Sequence, residues 1–170
     1  LLDTGKVLAV IVDGKSSESI GEGQKGLVIT DQTPFYAEGG GQVCDKGFMS
    51  TATEAGDDKI FDAEVIKVEK KDGIFYHTIQ VLANEIHVGD EVLLAVDPEK
   101  RYASARNHTA THLLQKALRE VVGSHVEQAG SMVNENVLRF DFSHFEAVSA
   151  AQLEEVERLV NEAINNFLPV

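Results

Sequence analysis

Cysteine is almost missing from this chain: Cys44 stands alone among 170 residues. A single thiol excludes an internal disulfide and fits a reducing compartment such as the cytoplasm. No hydrophobic run approaches the length of a membrane span, and the N-terminus lacks the basic-then-apolar pattern of a secretory signal. No low-complexity tract occurs. The first residue is Leu1 and not Met, which suggests a piece of a longer protein. Positive charge is also scarce, with 15 Lys and Arg against 28 Asp and Glu and a net charge of −13. Taken over the whole chain, that balance repels phosphates and argues against a nucleic-acid partner. Two phosphate-cradling motifs are missing as well. The one glycine-rich stretch has no GK[ST] ending, so it is not a P-loop, and no G-x-G-x-x-G opens a helix.

What remains is ordinary globular material, 43% hydrophobic and 25% charged, long enough for one large or two small domains. Residues 1–97 read as β. Short apolar runs at 6–12 and 26–30 are closed by Asp13-Gly14 and Asp31. Runs at 59–70 and 74–81 flank Lys71-Asp72-Gly73, a hairpin signal. His87-Val88-Gly89-Asp90 is a turn before a strand at 91–96, and Asp45-Lys46-Gly47 reads as another turn. Strands at this spacing predict a small antiparallel barrel. His77 and His87 read as surface or strand residues with no chemistry. Residues 32–42 break the pattern with three consecutive glycines, Gly39, Gly40 and Gly41, followed by Gln42. Read alone, that stretch is a hairpin loop whose backbone can approach another group closely.

A second domain, 98–170, opens with Asp97 as N-cap and Pro98 at the first helical position, and Gly123 is a good stop. One helix between them, with Arg106 as the place for a kink, puts Arg101, His108, His112, Gln115, Lys116 and Arg119 on one arc. Ala110, Leu113, Leu114, Ala117, Leu118 and Val121 face the opposite way, toward a core. His108 and His112 lie one turn apart on the polar side, a spacing that suits two nitrogen ligands on one metal ion. Thr109 stands where an HExxH protease needs its Glu, which disfavours a metallopeptidase. From Lys100 to Arg119 there are five basic residues (Lys100, Arg101, Arg106, Lys116, Arg119) and no acid. The spacing alone also admits the plainer reading of a solvated helix face. Strands at 125–133 and 137–144 follow, with Leu138, Phe140, Phe142 and His144 on one face, so His144 is expected at the edge of the core. Ser149 with Gln152 forms a capping box for a last helix through about Phe167, ended by Pro169. A helix, two strands and a helix leave a marginal sheet, so this domain is expected to be incomplete at its C-terminal end.

Four stretches taken together carry a resemblance. Thr33-Pro-Phe-Tyr-Ala-Glu-Gly-Gly-Gly-Gln42, Arg106-Asn-His-Thr-Ala-Thr-His-Leu-Leu114, Gly123-Ser-His-Val-Glu-Gln-Ala-Gly-Ser131 and Leu138-Arg-Phe-Asp-Phe-Ser-His144 resemble, in order and spacing, the editing region of alanyl-tRNA synthetases. Free-standing alanyl-tRNA editing proteins share the pattern. The resemblance implies an α+β fold: a glycine-motif β-barrel, then the α/β editing domain common to threonyl- and alanyl-tRNA synthetases. It implies hydrolysis of seryl- and glycyl-tRNA(Ala), because a synthetic pocket rejects near-isosteres of alanine poorly. Zinc is the implied cofactor, held by an HxxxH pair and a later Cys-x-x-x-His pair. His108 and His112 match the first pair. Thr111 and Gln128 would shape the catalytic pocket, and Gly39, Gly40, Gly41 and Gln42 would line its mouth. The implied partners are the acceptor end of tRNA(Ala), met at the positive helix with Arg106 as the substrate-binding residue, and the rest of the parent synthetase.

The departure from the pattern is that no Cys-x-x-x-His occurs after residue 112. Cys44 precedes the helix and is not counted as a ligand. Two of four expected zinc ligands are therefore present, with His125 the one local candidate to add to them. Three functions compete: an editing hydrolase within a synthetase, a free-standing deacylase, and a tRNA-binding or folding module without turnover.

Overall fold

The computed structural model describes residues 1–51 and 62–166. Its elements run β1 (Leu2–Val12), β2 (Lys15–Ser17), β3 (Ser19–Gly21), β4 (Lys25–Thr30), β5 (Gly47–Ser50), β6 (Ala63–Lys71), β7 (Ile74–Val81), β8 (Glu85–His87) and β9 (Glu91–Val96). Then come α1 (Pro98–Val121), β10 (Gln128–Val133), β11 (Leu138–Phe142) and α2 (Ala150–Asn165). The architecture is α+β. Two compact units divide it: Leu1–Gly39 with Cys44–Arg101, and Gly40–Val43 with Tyr102–Val170. The division falls after Arg101, beside the expected boundary at 97, and the second unit includes Gly40, Gly41 and Gln42 of the glycine motif. No helix among the described residues is long and apolar enough to cross a membrane.

The first unit is a closed antiparallel barrel. Its strands pair in the order β1-β4-β7-β6-β5-β9, and β9 returns to β1. β1 is long enough to serve both neighbours, β9 through residues 2–6 and β4 through residues 7–12. Closure removes the exposed edges that an open sheet would offer to other chains. Alternation sends Val7, Val10, Val28, Met49, Val65, Ile79 and Leu94 into one core. Two hairpins turn as the sequence predicts. Asp13-Gly14 (φ 50 and 74) and Asp72-Gly73 (φ 53 and 83) are left-handed at both positions, the conformation that Asp-Gly favours in two-residue loops.

Several expectations change. β1 starts at Leu2, not at residue 6, and β2, β3, β5 and β8 are strands that the sequence pattern does not mark. Asp45-Lys46-Gly47 is not a turn, since Gly47 opens β5. A Cβ there would lie 2.0 Å from the Ala95 carbonyl oxygen, so the glycine serves close strand approach. His77 is a strand residue of β7, fully buried in the barrel and not at the surface. The expected strand start at 59, and Phe167 and Pro169 at the end of the last helix, lie outside the described residues.

In the second unit Ala117, Leu118, Val126 and Val156 form the core, with Leu114, Phe140, Phe142 and Leu159 packed on it. β10 and β11 pair antiparallel. They are not alone, because the glycine segment lies along β10 in parallel, bridged at Gln42 and Val133. α2 begins at the capping box of Ser149 and Gln152. α1 begins where Asp97 Oδ1 accepts the backbone N–H groups of Glu99 and Lys100, both at 3.1 Å. The helix is unbroken through Arg106.

Candidate functional site

α1 carries the histidine pair. One turn of helix sets His108 and His112 above one another, with ring centroids 5.2 Å apart and planes 16° from parallel. His108 is half-buried and His112 exposed, so the pair sits at the rim of the helix's packed face. The buried arc of α1 is Ser104, Thr111, Ala117 and Leu118. Thr111 therefore points inward, and its hydroxyl donates to the Asn107 carbonyl at 2.9 Å. This back-bond satisfies a polar group that would otherwise be stranded in the core.

Gln42 reaches the pair from the glycine segment. It is buried, and its Oε1 lies 2.6 Å from His108 Nδ1. Gln128, at the start of β10, donates from Nε2 to Ser131 Oγ at 3.0 Å. Ser131 in turn crowds Gly41, where a Cβ would lie 2.2 Å from that hydroxyl oxygen. Gln128, Ser131, Gly41, Gln42, His108 and His112 are thus joined by successive contacts inside one unit. Gly40 belongs to the same unit, at φ 59 and with open space around its α-carbon. Gly39 falls in the other unit, where its carbonyl accepts the Tyr36 hydroxyl at 3.0 Å.

The positive face of α1 is smaller than its composition suggests. Arg101 donates from Nε to both carboxylate oxygens of buried Asp45, at 2.8 and 2.9 Å, and from Nη2 to the Pro34 carbonyl at 2.9 Å. A buried carboxylate needs such a partner, so Arg101 is spent on structure. Lys100 pairs with Asp97 at 3.3 Å. Arg106 and Lys116 are exposed. Nothing local marks the Asp45–Arg101 pair, because Asp45-Lys46-Gly47 has the composition of a turn.

His125 and His144 are brought together elsewhere in this unit. β11 ends at Phe142, so His144 lies two residues past the strand, half-buried. Its Nδ1 lies 2.8 Å from His125 Nε2, and the rings stack at 5.0 Å. Helix rise alone separates His112 from Val121 by about 13 Å, which puts His125 beyond the far end of α1 from the first pair. No group of three or more His, Cys, Asp or Glu able to hold a metal occurs among the described residues. The donor set fits zinc in kind, two imidazoles one turn apart with one Nδ1 already engaged, and supplies two ligands.

The family model described as class II tRNA synthetases (A) matches residues 2–100, more than half of the chain. An alanine–tRNA ligase from Carboxydothermus hydrogenoformans is 47% identical over 165 residues, which is 96% of this chain. The chain spans 18% of that relative's length. With a barrel, a histidine-bearing helix and a glycine segment laid on its sheet, this chain belongs to the class II tRNA synthetase (A) family and resembles alanine–tRNA ligase along nearly all of its length.

Proposed function

We propose that this chain is the editing region of an alanine–tRNA ligase and that in the intact enzyme it serves hydrolysis of seryl- and glycyl-tRNA(Ala). The observation that carries this reading is the run of contacts from Gln128 through Gln42 to the stacked His108 and His112. It gathers the HxxxH pair, the glycine segment and the Gln of the third motif, which are scattered in sequence. His108 and His112 would hold zinc, which when bound supplies the Lewis acidity that activates water for attack on an ester. In the reaction a water oxygen bonds to the aminoacyl carbonyl carbon. The bond from that carbon to the ribose oxygen breaks, and the ribose oxygen takes a proton. The products are the free amino acid and deacylated tRNA.

The chain's own residues bind and orient. Gln128, exposed at the start of β10, can reach an amino-acid side chain. Thr111 stands beside the pair, but its hydroxyl must leave the Asn107 carbonyl before it can meet a substrate. Arg106, exposed on α1, offers a cation to an acceptor-end phosphate. The rest of the synthetase is the remaining partner, and it would bring the further zinc ligands. The test is deacylation by the full-length enzyme of seryl-, glycyl- and alanyl-tRNA(Ala). Rapid loss of serine and glycine with alanine retained is expected. Equal rates on all three, or none, would remove the editing reading.

A further inference from the structure

We propose that Gln42 is a positioning residue for His108, holding its imidazole in the Nδ1–H tautomer so that Nε2 is left as a bare lone pair. The inference rests on the metal-site reading above and assigns Gln42 a role inside it, in place of a lining role at the mouth.

The hydrogen-bond chemistry fixes the tautomer. An amide oxygen can only accept, so the 2.6 Å contact between Gln42 Oε1 and His108 Nδ1 requires the ring proton on Nδ1. A neutral imidazole has one such proton, so Nε2 must carry the lone pair and is the nitrogen able to bind a metal. Metal-binding histidines are oriented in this way by an acceptor on the other ring nitrogen.

The backbone around Gln42 is built to hold that acceptor still. The residue is only 7% exposed. The Val133 N–H donates to the Gly41 carbonyl at 2.8 Å and the Val43 N–H to the Val133 carbonyl at 2.9 Å, so both neighbours of Gln42 are tied to β10. Gly41 makes this approach possible. It sits at φ 82, and any Cβ would run into Ser131 Oγ at 2.2 Å and the Ser131 carbonyl oxygen at 2.8 Å. With a side chain there the segment would lift off the sheet and carry Gln42 away from the helix. His112 stacks on the ring from the next turn, so His108 is restrained both at Nδ1 and on one face.

The test reads the tautomer directly. Long-range proton–nitrogen correlation spectra of the metal-free 170-residue chain, at a pH where the ring is neutral, should show His108 as Nδ1–H. Gln42→Leu should release the ring to a mixture of tautomers, and Gln42→Glu, which keeps an acceptor, should restore Nδ1–H. In the full-length enzyme Gln42→Leu should weaken zinc binding about 10- to 100-fold, with Gln42→Glu recovering most of it. An Nε2–H ring in the unsubstituted chain overturns the proposal even if the Leu variant fails to fold. So does an unchanged tautomer, or unchanged zinc affinity, in Gln42→Leu. Failure of the editing reading is separable. An Nδ1–H ring in an enzyme that spares seryl-tRNA removes that reading alone, and an Nε2–H ring in an active enzyme removes this one alone.

Discussion

His77 shows how one buried side chain fixes the run into the glycine motif. Its Nδ1 donates to the Val28 carbonyl at 3.0 Å, and its Nε2 accepts from the Thr33 hydroxyl at 2.8 Å. The Phe35 ring meets it edge-on at 5.8 Å. Burial pushes its pKa below the ordinary 6.5, against the opposing pull of the Val28 carbonyl. The unfolded chain therefore takes up a proton first as pH falls, and the barrel should lose stability below about pH 6.5, levelling off beneath the depressed folded pKa. Asp62 acts in a lower window. Burial raises its pKa, but hydrogen bonds from Thr51, Asn84 and Ser50 outweigh this and leave it below 3.8. Its contribution is present above that value and is lost as pH falls through the lower folded pKa. Urea melts of the chain between pH 7 and 5 should show the first slope. His77→Phe should flatten it and cost about 1–3 kcal/mol by leaving the Val28 and Thr33 groups unpaired. A slope that survives in His77→Phe would place the titrating group elsewhere.

At the level of elements, what the sequence revealed depended on how local the signal was. β7 and β9 match their expected spans because alternation and adjacent turns mark both ends. α1 was legible from Asp97-Pro98 and the HxxxH spacing from the helix period alone. His77 could have been read as buried, since it alternates with Ile79 and Val81 on the inner face of β7. β5 was not legible, because a glycine before a four-residue strand looks like a turn until its partner is known. Nor was the contact of Gln42 with His108, 66 positions apart. Side-chain reach over that separation is decided by the strand bridge to Val133, and nothing local encodes it. The β5–β9 pairing supplies a prediction at this scale. Gly47→Ala drives a methyl into the Ala95 carbonyl and should destabilise the barrel by about 1–3 kcal/mol. Gly14→Ala, in open space at a left-handed turn, should cost about 1 kcal/mol. Denaturation midpoints that rank the two the other way would count against the close-approach account.

For the whole molecule, the proposed function divides labour between this chain and the rest of a synthetase. Two imidazoles are half of a four-coordinate shell, so the isolated 170 residues should not keep stoichiometric zinc through dialysis, whereas the full-length enzyme should. Elemental analysis of both decides this, and one zinc per isolated chain would mean that the shell is completed within it. In the proposed function, His108 and His112 serve hydrolysis of the wrong aminoacyl ester and not synthesis of the right one. Seryl-tRNA(Ala) deacylation by full-length His112→Ala, run beside alanylation and zinc content, decides between the two. Loss of one ligand would misplace the attacking water, which has to be held in line about 3–3.5 Å from the ester carbon, where a shift of about 1 Å costs about 100-fold. Deacylation should fall below detection with zinc content, while alanylation stays near that of the unsubstituted enzyme. Undiminished deacylation of seryl-tRNA(Ala) by His112→Ala would mean that the histidine pair has no part in hydrolysis.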